Sequence, residues 1–252
     1  MCTLMLALDV WPDARLVVAA NRDELRARPS APPQAGVAPS GVRFVAPRDL
    51  VAGGTWIGLN EHDVFVAITN RSIGGGPSFL GERRSRGALV LEALGATRAD
   101  EALAAAAGWP GDAHNPFHLA IIDREHAGLV WSDGTTTRRE VLASGTIHVV
   151  TERSLGAAPS EREDHLARTL PGLASGPEPD PEQWRALLSW RKPGGHGQEP
   201  YGGFDDLCVD VPALGYGTVS AAWLRIGPTP RFAFSDGPPD QEPFAPVPLP
   251  WT

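Results

Sequence analysis

Cys2-Thr3-Leu4-Met5-Leu6-Ala7-Leu8, then Trp11-Pro12-Asp13, then Leu16-Val17-Val18-Ala19-Ala20, followed at once by Asn21-Arg22-Asp23-Glu24, is the stretch of this chain that decides its fold. Two compact apolar runs around a turn bearing proline and aspartate read as a β-hairpin whose first strand begins at the cysteine. In such a hairpin the end of the second strand lies beside the start of the first, so Asn21 to Glu24 falls close to Cys2. Removal of Met1 would leave Cys2 with both a thiol and a free α-amine. An amine titrating near ~8 takes a thiol proton at neutral pH without a histidine. A nearby arginine favours the thiolate, a carboxylate orients the α-ammonium or the thiol proton, and an amide hydrogen-bonds a reacting carbonyl. Alternation puts Asn21 and Asp23 on one face and Arg22 and Glu24 on the other, so the four do not all face Cys2. A plainer reading competes: a cysteine that opens an apolar run serves as a small core hydrophobe, and the tetrapeptide as a solvated turn with an Arg–Asp or Arg–Glu pair.

Outward from the hairpin, Arg28 to Gly41 carries Pro29, Pro32, Pro33 and Pro39 and reads as a loop. Trp56 to Asn60 and Val64 to Asn70 read as strands around the polar turn Glu61-His62-Asp63. Helical periodicity runs over Arg86 to Leu94 and Ala99 to Ala107, two segments expected to pack together against a sheet. Strands follow at Phe117 to Asp123, Gly128 to Ser132, Arg139 to Ala143 and Thr146 to Thr151. Helices follow near Ser160 to Leu170 and from Pro181, which suits a first helical turn, to Trp190. Gly194 to Gly203 is glycine-rich and is expected to be mobile. Leu207 to Val211, Thr218 to Gly227 and Arg231 to Ser235 complete the strands, and the tail from Gly237 holds too many prolines for regular structure. Strands in two batches, each followed by a helix pair, imply two stacked antiparallel sheets with helices over the outer faces. Runs such as Ile147 to Val150 then reflect burial on both sides. No repeat or interdomain linker is visible, so residues 1–252 read as a single domain.

At 252 residues the chain is long enough for a sizeable core, and 42% hydrophobic with 21% charged residues is the balance of an ordinary globular protein. The formal charge is −8 and the basic residues are scattered, which argues against nucleic acid as a partner. The opening apolar run lacks a basic flank and is interrupted by Asp9, so it does not read as a secretory signal. No stretch reaches the roughly twenty apolar residues of a membrane helix. Cys2 and Cys208 are the two cysteines. With no disulfide pattern between them, the chain reads as reduced and cytoplasmic.

Other candidate sites carry less. His114 and His118 have helical spacing, but Pro116 lies between them and no further ligand completes a zinc pattern, so no metal is expected. Gly74-Gly75-Gly76 lacks a following Lys-Ser/Thr and does not form a phosphate cradle. His148 and Cys208 read as core residues within strands, and Trp56 and Tyr216 as packing residues near the pocket.

Cys2, Asn21-Arg22-Asp23-Glu24, Arg48-Asp49 with Gly53-Gly54-Thr55-Trp56-Ile57-Gly58, Thr69-Asn70-Arg71, Ser85-Arg86-Gly87 and Tyr216-Gly217-Thr218-Val219-Ser220 together resemble the NRDE family, to which TANGO2-like proteins belong. The match is ordered along most of the chain and densest over residues 1–90. The family in turn resembles the cysteine N-terminal-nucleophile (Ntn) hydrolases, in the branch with penicillin V acylase and bile salt hydrolase. That resemblance implies an α+β fold, an αββα sandwich of two mainly antiparallel sheets with helices outside. It implies catalytic roles for Cys2 as nucleophile and base, Asn70 as oxyanion-hole donor, and Asn21, Arg22, Asp23 and Glu24 as the groups that set the electrostatics. The branch places an arginine three residues before an aspartate. Here that register aligns Asn21 with the arginine and Glu24 with the aspartate, or Arg22 and Asp23 fill those roles through a shifted backbone.

A second departure lies at Thr151-Glu152-Arg153-Ser154, where the family is expected to read Ser-Asn: a carboxylate at Glu152 repels an oxyanion unless it is protonated or paired with Arg153. The implied activity is hydrolysis of a non-peptide amide or related acyl bond through an acyl-enzyme on Cys2, acting on a small acyl or amide substrate with no cofactor. The alternative from the same resemblance is a non-catalytic haem or acyl-lipid carrier.

Overall fold

A computed structural model describes residues 2–74, 79–155, 157–195 and 202–252. Gly75 and Gly76 of the triple glycine, and most of the glycine-rich segment expected to be mobile, lie outside the described residues, as does Met1. The fold is α+β, with two antiparallel sheets and four helices among the described residues. Contacts divide the chain into two compact units, one holding each sheet.

The first unit is built on the hairpin. Strands β1 (Cys2–Trp11) and β2 (Ala14–Leu25) pair from Cys2↔Arg22 to Trp11↔Ala14. Only Pro12 and Asp13 lie between them; Asp13 takes the positive φ of 59° that so short a connection requires, a conformation aspartate tolerates better than most residues. Numbering the strands in chain order, the second sheet takes β3 to β9, and the first is completed by β10 (Thr146–Val150), β11 (Asp210–Val211), β12 (Tyr216–Ile226), β13 (Arg231–Ser235) and β14 (Ala245–Pro246). Its order is β10-β1-β2-β12-β13-β14, with β11 on the edge of β12. Helices α3 (Glu161–Ala174) and α4 (Pro181–Leu188) cover one face. There Met5, Ala7, Val17, Ala19, Ala221 and Trp223 pack with Leu166, Leu170, Trp184 and Leu188. Pro181 occupies the first turn of α4, as the sequence predicts, and Asp180 caps the helix by accepting from the Gln183 N–H.

The second unit is a meander, β3 (Ser30–Val37), β4 (Arg43–Asp49), β5 (Ile57–Asn60), β6 (Phe65–Asn70), β7 (Phe117–Ile122), β8 (Ala127–Ser132) and β9 (Thr137–Val141), each strand pairing with the next. Helices α1 (Gly87–Ala93) and α2 (Ala99–Ala107) pack together on one face, over Val66, Ile68, Leu119, Ile121 and Val130. Gly54 and Gly87 permit the approach of α1, since a Cβ on Gly54 would stand 2.6 Å from the Gly87 carbonyl carbon.

Several expectations need correction. Arg28 to Gly41 is not a loop, because β3 runs through it. It is an edge strand paired only with β4, and its register shifts between Ala31 and Gln34, so Pro32 and Pro33 sit in a bulge where no ladder N–H is asked of them. The proline-rich tail likewise contributes the short edge strand β14. The apolar run at Ile147 to Val149 is only half-buried, because β10 is an edge strand; His148 shares that half-exposed setting and is not a core residue. The two batches of strands do not map onto the two sheets either, since β10 leaves its neighbours in sequence to pair with β1.

Candidate functional site

The ladder places Cys2 opposite Arg22 on β2, and Arg22 opposite Ser220 on β12. Cross-strand partners point to the same face, so Cys2, Arg22 and Ser220 form one row across three strands. Met5, Ala7, Val17 and Ala19, of the opposite parity, pack on α3 and α4, so this row lies on the face away from those helices. Arg22 and Ser220 are buried at 5% and 1% exposure, and Cys2 keeps part of its surface. The Ser220 Oγ has no hydrogen-bond partner among the described residues. A bulge between Thr218 and Ser220 keeps both in register with β2, the former against Asp23 and the latter against Arg22.

Asn21 and Asp23 belong to the other face. The Asn21 side-chain amide donates to the carbonyls of Leu188, at 3.0 Å, and Leu207, at 2.8 Å, so it ties the end of α4 to the segment before β11. Asp23 accepts from the Thr218 hydroxyl at 2.7 Å and stands 3.7 Å from the Arg162 guanidinium, with both side chains of that ion pair fully buried. Tyr216 donates its hydroxyl to the Asp23 carbonyl at 2.7 Å. Of the two alternating pairs, therefore, Arg22 shares the Cys2 face while Asn21 and Asp23 lock the sheet to its helices. Glu24 lies at the half-exposed end of β2, where it accepts from the Leu25 N–H and lies 3.8 Å from Arg28.

Asp23 still acts on Cys2 through its backbone. Burial pushes the Cys2 thiol above its ordinary value, and the Asp23 carboxylate adds to that rise. The Asp23 backbone N–H, hydrogen-bonded to the sulfur, and the Arg22 charge pull the other way. Burial wins, so the thiol stays protonated at neutral pH. A thiol held in that state is a nucleophile only where a base stands next to it.

Asn70 ends β6 in the second unit, half-buried and opposite Phe117. It has the parity of Val66 and Ile68, which pack on α1 and α2, while Thr69 shares the face of His118. His118 is buried between the Thr69 hydroxyl, 3.2 Å from Nδ1, and the Ser154 carbonyl, 2.8 Å from Nε2. A carbonyl only accepts, so Nε2 carries the proton and Nδ1 accepts from Thr69. Burial drops the His118 pKa to about 4. Glu152 is buried in the turn after β10, where its carbonyl accepts from the Ser72 N–H at 2.6 Å. His114 lies outside β7, edge-on to Phe117, and among the described residues no group of His, Cys, Asp or Glu is placed to hold a metal ion. Trp56 packs on the core beneath α1 and α2, and Cys208 is buried beside Arg191 and Asp240.

The sequence profile of the family described as Transport and Golgi organisation 2 (TANGO2) matches residues 1–178. The chain belongs to the TANGO2 family. No protein with a curated description matches it. Among solved structures, this TANGO2-family chain is similar to the Caenorhabditis elegans ortholog of N-acylethanolamine-hydrolyzing acid amidase, at 12% identity and a TM-score of 0.48 over 88% of this chain and 92% of that one. It is also similar to the C2A mutant of conjugated bile acid hydrolase from Clostridium perfringens, at 11% identity and a TM-score of 0.48 over 100% and 98%. A third similar structure is penicillin V acylase from Agrobacterium tumefaciens, at 12% identity and a TM-score of 0.42 over 94% and 86%. No helix among the described residues of the TANGO2-family chain is long and apolar enough to cross a membrane.

Sequence reasoning missed Arg162. Its signal was present: Arg162, Leu166 and Leu170 recur every fourth residue, so the arginine heads the apolar stripe that faces the sheet. A charge at that position requires a buried counter-charge, and Asp23 is the one it meets.

Proposed function

We propose that this TANGO2-family protein is a cysteine hydrolase of a small amide or related acyl bond, with Cys2 as nucleophile. One observation carries the reading: the Cys2 sulfur starts the first strand on the sheet face away from the helices, in a row with Arg22 and Ser220, and accepts a hydrogen bond from the Asp23 backbone. Because burial keeps the thiol protonated, the reaction needs a base at the sulfur itself. The α-amine released on Cys2 by removal of Met1 supplies it.

In this scheme the amine takes the thiol proton as sulfur attacks the carbonyl carbon, and the resulting ammonium returns a proton to the departing amine when the carbon–nitrogen bond breaks. The thioester on Cys2 is then attacked by water, whose proton passes to the same amine. The products are the carboxylic acid and the free thiol. Arg22 stabilises the thiolate as it forms, and Asp23 works through its backbone N–H.

The test is intact mass of the purified protein with a panel of amide and thioester substrates. Loss of Met1 and a burst of acyl adduct that disappears in Cys2→Ala support the reading. Retained Met1 with no adduct from any substrate overturns it.

A carrier role for an acyl-lipid has one observation in its favour. A cavity of about 640 Å³ opens beside α1 and α2, lined by Leu91, Ala102, Ala105 and Trp109 with Glu92 and Glu101. Its lining offers no His, Cys, Met or Tyr to ligate haem iron, so an acyl chain suits this cavity and haem does not.

A further inference from the structure

The motif Thr69-Asn70-Arg71 holds a residue that the Cys2 chemistry does not use. Arg71 follows β6 and is 5% exposed, its backbone N–H donating to the Pro116 carbonyl at 3.1 Å. Its Nη2 donates to the Leu155 carbonyl, and its guanidinium lies over the Trp131 ring at 4.4 Å from the centroid. Nε and Nη1 are buried with no hydrogen-bond partner among the described residues. An unmet donor on a buried charged group costs several times what an exposed one does, and proteins rarely leave two on one side chain.

The carboxylates nearby are committed elsewhere. Asp133 accepts from the backbone N–H groups and the hydroxyls of Thr135 and Thr136. Glu140 accepts from the Trp131 indole N–H at 3.0 Å. Both still act on Arg71 electrostatically, and with Arg138, 5.5 Å from the same ring, the surroundings hold two positive and two negative charges. A dianion would be repelled by Asp133 and Glu140, whereas a single carboxylate makes charge-assisted hydrogen bonds to a guanidinium that a neutral amide does not.

We propose that Arg71 is the receptor for a small monoanionic carboxylate, whose oxygens accept from the N–H groups the protein leaves unmet. The planar guanidinium, held flat on Trp131, is preorganised for such a partner. This site is independent of the Cys2 reading, and its test uses no substrate.

The experiment follows the Arg71 Nε–H resonance of the intact protein, assigned by its disappearance in Arg71→Lys, during titration with acetate, acetamide or inorganic phosphate at constant ionic strength. The expected result is a saturable shift with acetate, none with acetamide, and at least tenfold weaker binding of phosphate. In parallel, acetate should raise the melting temperature of the wild-type protein and leave that of Arg71→Lys unmoved. If Arg71→Lys does not fold, Trp131→Leu, which removes the platform and keeps the charge, should weaken acetate binding about tenfold in the same titration. Equal responses to acetate and acetamide, tighter binding of phosphate, or no saturable shift with acetate would overturn the proposal.

Discussion

The two faces of β2 carry the same kinds of residue to different ends. On the helix side, Asn21 and Asp23 tie the sheet to its helices: one amide nitrogen bridges two carbonyls from separate segments, and one carboxylate meets a hydroxyl and a buried guanidinium. On the opposite side, the row Cys2, Arg22 and Ser220 includes a hydroxyl with no partner among the described residues and a thiol whose strongest influence is burial. One face binds the sheet to its helices, and the other presents a thiol and a hydroxyl on the side away from them.

The comparison predicts that substitutions on the two faces separate stability from chemistry. Cys2→Ala should abolish acylation, by roughly 10³-fold or more, and shift the urea midpoint little, because it removes one small side chain from a strand end. Acylation surviving in Cys2→Ala would erase the distinction. Arg162→Met should do the reverse: it strands the Asp23 charge in a buried setting, at a cost of about 3–5 kcal/mol in denaturant unfolding. Asn21→Ala leaves the Leu188 and Leu207 carbonyls without their donor and should cost about 1–3 kcal/mol, with alkylation of Cys2 in the folded fraction unchanged.

The smallest effect should appear in the pH profile of Cys2 alkylation. Burial holds the thiol above its ordinary 9.0, so the rate should still be rising past that pH. Arg22→Met removes a charge that lowers the value and should move the inflection higher, while Asp23→Asn removes one that raises it and should move the inflection lower. Movement in the opposite sense for either variant would show that the row does not share the sulfur's field.

A buried histidine in the second unit sharpens the same lesson. His118, with both ring nitrogens bonded and a pKa near 4, is neutral in the folded chain, whereas unfolding restores a value near 6.5. The unfolded state therefore binds more protons over that window, and stability falls as pH drops from about 6.5 to 4, by up to ~3 kcal/mol. His118→Gln should flatten that part of the profile in denaturant titrations.

Much of this was legible in the sequence, for identifiable reasons. The hairpin from Cys2 to Glu24 could be read because its two apolar runs are uninterrupted and its turn is marked by Pro12 and Asp13. Alternation then split Asn21 and Asp23 from Arg22 and Glu24 correctly. Which pair faces Cys2 depends on the hairpin register, and the shift between Leu8 and Trp11 that sets Cys2 opposite Arg22 is not marked by the apolar pattern. β3 was hidden because proline density normally signals a loop, and only an edge position with a bulge accommodates Pro32 and Pro33. The pairing of β10 with β1 joins segments more than a hundred residues apart, beyond the reach of local pattern. Arg162 was hidden by its type, since a charged residue in a helix ordinarily marks the solvated side.

The most direct test of the central claim is mass spectrometry of the protein after rapid mixing with an activated acyl substrate, with the adduct mapped by peptide sequencing. The account predicts an amino terminus beginning at Cys2 and one acyl group on its sulfur, formed in a burst and released as carboxylic acid. An amino terminus still bearing Met1, or an acyl group on any other residue, would contradict it.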